Sequence, residues 1–144
     1  VDKISLFKAR RQTEYHHFLE KSKSCIQRMV DGFHRQDLEA IKNEIRYNRD
    51  LLKQLGTNSG VNIETESLSK LCQIAESFGG AAKTSGAGGG DCGIVAIDSN
   101  SNFGNVLKSW AKNHIEQLPL SVHFIDNAKS FKKSVKHHLS YIHK

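Results

Sequence analysis

The stretch "KTSGAGGGDCG", residues 83–93, contains five of the eleven glycines in a chain of 144 residues, and Gly79 and Gly80 lie just before it. A tight β-hairpin turn needs only one or two glycines. Each further glycine costs about 0.4–1 kcal/mol through the entropy of the unfolded chain. Because a domain is stable by only about 5–15 kcal/mol, this concentration indicates that the loop backbone meets a special requirement. Binding an anion through successive N–H groups would be such a requirement.

The segments that flank the glycines have the character of β-strands. "AAKTS" (residues 81–85) and "CGIVAID" (residues 92–98) are short, and the second is rich in β-branched residues. Two short strands joined by a glycine-rich loop predict an antiparallel β-hairpin. A phosphate held by this loop would therefore lie at the tip of the hairpin.

Three segments before the hairpin carry apolar residues at helical spacing. They predict helices over residues 13–33, 37–55 and 65–78, and the stretch from Ile4 onward is also a helix candidate. Thr13, Asp37 and Thr65 are the predicted N-terminal caps, and Gly56 and Gly79 are the predicted stops. The polar residues of the second helix are interpreted as a solvated face, and they include Glu44, Asn48 and Arg49.

After the hairpin, the sequence predicts one more helix and one more strand. Ser101 or Asn102 caps the helix, and the strand "LPLSVHFID" spans residues 118–126 with the chain's only proline near its start. The resulting order is ααα-ββ-α-β. Helices followed by a hairpin predict an α+β domain with an antiparallel sheet and helices on one face, rather than a doubly wound βαβ fold.

The net charge of +6 is concentrated at the C-terminus. Residues 128–144 contain five lysines and no acidic residue, which leaves +1 for residues 1–127. We therefore predict one domain over residues 1–127 and a basic extension over residues 128–144, and we expect no nucleic acid partner. The extension carries apolar residues at helical spacing, namely Phe131, Val135, Leu139 and Ile142. Whether a helix there packs on the domain is left open by the sequence.

Cysteine and histidine usage points to a cytoplasmic protein without a metal site. Cys25, Cys72 and Cys92 are odd in number and form no CxxC pair, so we expect reduced thiols. The adjacent histidine pairs have no acid or cysteine to complete a metal site. No long apolar run and no secretory signal are present, so we expect no membrane partner.

The glycine pattern also matches several known motifs, but its context excludes them. Gly88, Gly90 and Gly93 fit the dinucleotide fingerprint, which requires a helix after the glycines, whereas a predicted strand follows here. A protein-kinase loop would require a lysine where Asp98 stands. A Walker loop would require Gly-Lys-Ser/Thr. The GxxG of a KH domain, matched by residues 86–89, joins two helices instead of two strands.

With these motifs excluded, "KTSGAGGGDCG" resembles the third signature motif of the GHMP kinases, K-x-S-G-A-G-x-G. The resemblance spans roughly residues 1–125. It is most specific over residues 60–97, which are similar to the family of bacterial-type phosphomevalonate kinases. It implies the C-terminal, ferredoxin-like domain of this superfamily, with the glycine-rich loop in a β-hairpin.

The resemblance also implies a function. Enzymes of this family transfer the γ-phosphoryl group of ATP, with Mg²⁺, to 5-phosphomevalonate in the mevalonate route to isoprenoids. Phosphoryl transfer relies mainly on positioning and electrostatic stabilisation, which such a loop supplies. Carried over to this chain, the ATP-binding residues would be Ser85, Gly86, Ala87, Gly88, Gly89 and Gly90, and the substrate-binding residues would be Lys83 and Asp91.

One departure from the family pattern shapes the expected activity. The family's second motif, a Gly-Leu-Ser/Gly-Ser-Ser loop, does not occur in this chain, and neither does the segment that supplies the catalytic residues. We therefore expect a C-terminal domain that is inactive alone and has an N-terminal kinase domain as its partner. The strand that usually opens the domain would precede Val1, so we also expect an exposed sheet edge that favours homo-oligomers.

The residues alone leave a second function open. An α+β module with a basic tail is also compatible with a non-catalytic protein that binds an anion or a nucleic acid. An upstream domain of roughly 200 residues with a Gly-Leu-Ser/Gly-Ser-Ser motif would favour the kinase, judged by typical domain size.

Overall fold

A computed structural model describes residues 2–86, 88–89, 92–100, 103–118 and 140–143. Residues 140–143 are described by their backbone only. The helices are α1 (Lys3–Arg10), α2 (Gln12–His34), α3 (Leu38–Ser59), α4 (Glu66–Ser77) and α5 (Phe103–Lys112). The strands are β1 (Ala81–Thr84), β2 (Gly93–Ala96), β3 (Glu116–Leu118) and β4 (Ser140–His143). Within these residues, no helix has both the length and the apolar character that a membrane crossing requires.

The four strands form one antiparallel sheet in the order β1-β2-β4-β3. Strands β1 and β2 are the predicted hairpin, with Ala82 opposite Val95 and Thr84 opposite Gly93. The glycine-rich loop joins these two strands. The α+β class, the antiparallel sheet and the position of the loop in a hairpin are therefore confirmed.

Local capping explains where two of the helices begin. The side chain of Asp37 accepts a hydrogen bond from the N–H of Ala40 (2.9 Å), and that of Thr65 accepts one from the N–H of Leu68 (3.3 Å). Each side chain satisfies a backbone donor that has no partner within the first turn of a helix. The predicted starts of α3 and α4 are confirmed.

The end of α3 differs from the prediction. The helix passes through Gly56 and ends at Gly60, whose φ of 70° is the left-handed conformation typical of a helix C-terminus. Gly56 is buried, and a Cβ there would lie 2.8 Å from the carbonyl oxygen of Val61. The glycine at this position therefore permits close packing of the chain as it returns, rather than stopping the helix.

The C-terminal part also differs from the prediction. Ile142, assigned to a helical stripe, lies in β4 opposite Gly93 of β2 and Gln117 of β3. A strand at this position supplies hydrogen-bonding partners to both neighbours, and this long-range pairing overrides the local helical spacing. The predicted last strand overlaps β3 only at Leu118, because residues 119–139 lie outside the described part of the chain. The predicted caps Ser101 and Asn102 also lie outside it. The division at residue 127 stays a prediction.

Strand β1 is packed on both sides. Ala82 belongs to a cluster with residues of α4, β2 and α5, whereas Ala81 belongs to a cluster with Ile41 and Ile45 of α3. Because consecutive strand residues point to opposite faces, α4 and α5 contact one face of the hairpin while α3 contacts the other. This arrangement differs from the prediction of helices on one face of the sheet. Trp110 of α5 fixes the larger cluster, since its buried Nε1–H donates to the carbonyl of Leu71 (3.1 Å).

The outer strands of the described sheet differ in exposure. All four residues of β1 are buried, whereas Glu116 and Gln117 of β3 are exposed. An edge at β1 is therefore protected by the packing of α3, which is one way that proteins prevent edge-to-edge association. Homo-oligomers through a sheet edge stay a prediction, and the edge concerned would be β3.

Two helical glycines test the packing role of Gly56. Gly56→Ala is expected to lower the free energy of unfolding by about 1–3 kcal/mol, because its Cβ would overlap the carbonyl of Val61. Gly104→Ala is the matched control, since a Cβ there meets no atom within 4 Å and alanine favours helices by up to about 1 kcal/mol. Urea titrations followed by circular dichroism measure both variants. Equal stability of the two would contradict the packing role.

Candidate functional site

A backbone hydrogen bond closes the base of the glycine loop, where the loop follows β1. The N–H of Ser85 donates to the carbonyl of Cys92 (3.0 Å), which closes the loop next to the first pair of the hairpin. Ser85, Gly86 and Gly89 are exposed and Gly88 is half-buried. Of the other predicted site residues, Ala87, Gly90 and Asp91 lie outside the described residues.

The middle of the loop rests on Ile63, which precedes α4. The N–H of Gly89 donates to the carbonyl of Ile63 (2.8 Å). Gly88 has a φ of 85°, and a Cβ there would lie 2.2 Å from Cγ2 of Ile63 and 2.5 Å from its carbonyl oxygen. Gly89 also has a left-handed φ, of 70°. Gly88 is thus required by a tertiary contact and Gly89 by its backbone conformation, roles that the count of glycines in the sequence does not indicate.

This contact refines the predicted phosphate site. In this conformation the N–H groups of Ser85 and Gly89 donate to protein carbonyls, so they do not face a phosphate. No described residue accepts a hydrogen bond from the N–H of Gly86 or Gly88. These two groups are the loop donors left without a partner among the described residues.

Glu64, next to Ile63, is bound by a buried arginine. Arg49 of α3 donates to both carboxylate oxygens of Glu64, from Nε at 2.8 Å and from Nη2 at 2.7 Å. Its Nη1 donates to Glu76 near the end of α4 (2.7 Å). Only 9% of Arg49 is exposed, and the Glu64 side chain is 7% exposed. A bidentate pair of this kind is geometrically specific as well as strong.

The charges of this pair are stable around neutral pH. Burial alone would raise the pKa of Glu64, but the hydrogen bonds and the positive charge of Arg49 outweigh it, so the pKa lies below its usual value. Lys53 adds a more distant positive charge, with Nζ 3.9 Å from the carboxylate. Glu64 is therefore ionised at neutral pH, and the segment before α4 stays bound to α3.

Lys83 lies on β1 just before the loop and is buried. Its Nζ donates to the carbonyl of Thr84 (2.6 Å), and burial lowers its pKa. Among the described residues, no carboxylate forms an ion pair with it. The hydroxyl of Thr84 in turn reaches the carbonyl of Gly86 at 3.5 Å. Lys83 thus contacts the backbone that leads into the loop.

The three cysteines differ in their environments. Cys25 and Cys72 are buried, and burial raises the pKa of Cys25 to about 11 and that of Cys72 to about 12. Cys92 is half-buried at the base of the loop. Within the described ranges, no group of three or more histidine, cysteine and acidic side chains is placed to hold a metal ion.

Lys83, Ser85, Gly86, Gly88 and Gly89 lie in the loop or directly before it, and their roles in binding ATP or substrate stay predictions. The structure also shows three residues that hold the loop in place and that the sequence does not indicate, namely Ile63, Glu64 and Arg49. The interpretation of Asn48 and Arg49 as a solvated face is wrong, because both are buried. The missed signal was their spacing, since both lie on the same helical face as the buried residues Ile41 and Ile45.

Comparison with known proteins places this loop in a family context. Residues 29–116 match the family model described as "GHMP kinases C terminal". A phosphomevalonate kinase from Streptomyces sp. (strain CL190) is 36% identical over 114 residues, which cover 78% of this chain and 30% of that protein.

Two solved structures are also similar. A Lin0012 protein from Listeria innocua has a TM-score of 0.78 and 39% identity, covering 81% of this chain and 33% of that one. The Streptococcus pneumoniae phosphomevalonate kinase has a TM-score of 0.62 and 32% identity, covering 69% of this chain and 30% of that one. The chain therefore spans about a third of the length of these relatives.

Alanine substitution at two loop glycines tests the contact with Ile63. Gly88→Ala is expected to cost about 1–3 kcal/mol of stability, because it combines a left-handed φ with an overlap on Ile63. Gly86→Ala is the matched control for folding, since a Cβ there meets nothing within 4 Å. Thermal unfolding measures the difference. A Gly88→Ala variant as stable as Gly86→Ala would show that the loop does not depend on this contact.

Thiol labelling of the native protein tests the environments of the cysteines. At pH 7.5 iodoacetamide is expected to alkylate Cys92 at least about tenfold faster than Cys25 or Cys72, because burial limits access and keeps those two thiols protonated. Peptide mapping by mass spectrometry identifies the modified site. Equal labelling of all three under native conditions would contradict the packing of α2 and α4.

Proposed function

Because the chain belongs to the GHMP kinase C-terminal domain family, we propose that it is the C-terminal part of a phosphomevalonate kinase. The whole enzyme would transfer the γ-phosphoryl group of ATP to the phosphate of 5-phosphomevalonate, giving 5-diphosphomevalonate and ADP. The observation that carries this proposal is the 36% identity to a phosphomevalonate kinase over 78% of the chain. The comparisons do not favour the alternative of a non-catalytic anion- or nucleic-acid-binding module.

In this proposal the glycine loop binds the phosphates of ATP. The loop residues concerned are Ser85, Gly86, Ala87, Gly88, Gly89 and Gly90. The exposed position of the loop and the N–H groups of Gly86 and Gly88 support this role. The N–H groups of Ser85 and Gly89 are bound to Cys92 and Ile63, so these two residues would shape the site rather than donate backbone hydrogen bonds to the phosphates.

For Lys83 we propose a positioning role instead of direct contact with 5-phosphomevalonate. Its buried Nζ donates to the carbonyl of Thr84, and this supports a role in holding the entry to the loop. Asp91 is proposed to contact the substrate on the resemblance alone. The catalytic residues and the partner domain would be supplied by the rest of the kinase. The proposed enzyme is cytoplasmic, where free thiols such as Cys25 persist.

Magnesium would accompany the nucleotide, since Mg²⁺ in such sites binds substrate phosphates and only one or two carboxylates. Glu64 is already paired with Arg49, and no cluster of metal-binding side chains occurs within the described ranges. We therefore assign magnesium no ligand among the described side chains.

An enzymatic assay of the complete gene product tests the proposed function. Purified protein with MgATP is expected to release ADP when 5-phosphomevalonate is present and not when mevalonate replaces it. The 144-residue chain alone is expected to be inactive, because phosphoryl transfer requires positioning groups that the proposal places elsewhere. No acceptor-dependent ADP release from the complete protein, or full activity from the chain alone, would contradict the proposal.

The same preparation allows a binding control at the loop. MgATP is expected to slow alkylation of Cys92, which lies at the base of the proposed phosphate site, and to leave labelling of the buried Cys25 unchanged. Unchanged labelling of Cys92 at saturating ATP would place the nucleotide away from this loop.

A further inference from the structure

Three consecutive residues before α4 each bind a different part of the molecule. Ile63 accepts a hydrogen bond from Gly89 in the glycine loop. Glu64 accepts two from Arg49 of α3. Thr65 caps α4 by accepting from the N–H of Leu68. The segment between α3 and α4 therefore joins the loop to both helices within three residues.

The Ile63 side chain is buried and the hydrogen bonds of Glu64 are partly buried, so both residues have little freedom to move. Ile63 is 3% exposed, and its side chain and carbonyl occupy the space that a Cβ of Gly88 would require. The carboxylate of Glu64 is held by two hydrogen bonds from a buried guanidinium. Removing one partner of such a pair leaves a buried charge uncompensated, so the segment cannot move without a large penalty.

We propose that Arg49, Glu64 and Ile63 form a brace that sets the position of the glycine loop for phosphoryl transfer. The proposal rests on the proposed function, in which the loop binds the phosphates of ATP. None of the three residues needs to contact a phosphate. They act by fixing the backbone of Gly88 and Gly89, and through it the direction of the neighbouring N–H groups.

Positioning of this kind has a measurable effect on catalysis. A displacement of about 1 Å at a reacting group can cost roughly 100-fold in rate. A loop released from Ile63 would also expose the N–H of Gly89, which is hydrogen-bonded in the described structure. The brace therefore predicts two linked consequences of its loss, faster amide exchange in the loop and weaker catalysis.

The test uses substitutions in the complete gene product. Arg49→Lys keeps the charge but loses the bidentate geometry, Glu64→Gln keeps the shape but loses the charge, and Ile63→Ala removes the side chain against Gly88. Arg28→Met is the control for the loss of a bidentate pair outside the brace, because the half-exposed Arg28 forms such a pair with Glu44 between α2 and α3 (2.6 and 2.9 Å). Ile41→Val in the α3 cluster controls for a general loss of stability.

Hydrogen exchange measured by mass spectrometry gives the first readout. The brace variants are expected to exchange the amides of residues 85–92 at least about tenfold faster than the wild type, as local opening does when a protecting contact is lost. Arg28→Met and Ile41→Val are expected to leave this peptide unchanged. Unchanged exchange in all three brace variants, or equal acceleration in the controls, would overturn the proposal.

Steady-state kinetics gives the second readout. The brace variants are expected to lose about 10- to 100-fold in kcat/KM for ATP. A further variant, Arg49→Met, removes the charge as well as the bidentate geometry and is expected to lose more activity than Arg49→Lys. Wild-type values of kcat and KM in all brace variants would overturn the proposal. If the wild-type protein shows no 5-phosphomevalonate-dependent activity, the proposed function fails, and hydrogen exchange still decides whether the brace holds the loop.

Discussion

The contact of Gly88 and Gly89 with Ile63 connects the tip of the hairpin to the helical part of the domain. A long glycine-rich loop has many backbone conformations, and ordering each residue costs about 1–2 kcal/mol of conformational entropy. One hydrogen bond at 2.8 Å and one position that excludes a Cβ remove much of this freedom at the middle of the loop. Gly88 and Gly89 are thus a fixed point at the middle of the loop.

The base of the loop is fixed by packing. Strand β1 contains two small residues, Ala81 and Ala82, that allow helices to approach from opposite sides. The strand is buried along its whole length, and its last residue, Thr84, accepts a hydrogen bond from Lys83. The glycine loop thus starts from a rigid strand and meets a rigid segment, a combination typical of functional loops held by a stable scaffold.

The sequence predicts the parts of this structure that depend on local signals. Asp37 and Thr65 cap helices because each side chain bonds a backbone N–H only three residues away. The hairpin follows from two short strands around a turn. The sequence does not predict the role of Gly56, because that role depends on Val61, which packs against it only after the chain reverses. Ile142 was assigned to a helix because its strand partners are distant in sequence.

The candidate site shows the same difference between local features, which the sequence predicts, and contacts between distant residues, which it does not. The residues of the loop follow from the motif, but the hydrogen bonds that engage the N–H groups of Ser85 and Gly89 do not. Arg49 was missed because an arginine on an amphipathic helix is usually solvated, and its acceptors Glu64 and Glu76 lie on a different part of the chain. Counting glycines measures an entropic cost, but it does not distinguish a ligand contact from a protein contact.

A crystal structure of the complete gene product with Mg²⁺ and a non-hydrolysable ATP analogue tests the central claim most directly. The account predicts phosphate oxygens within about 3 Å of loop N–H groups such as those of Gly86 or Gly88, with the N–H of Gly89 still bound to Ile63. Phosphates bound away from residues 85–90, or a loop that leaves Ile63 to reach them, would contradict it.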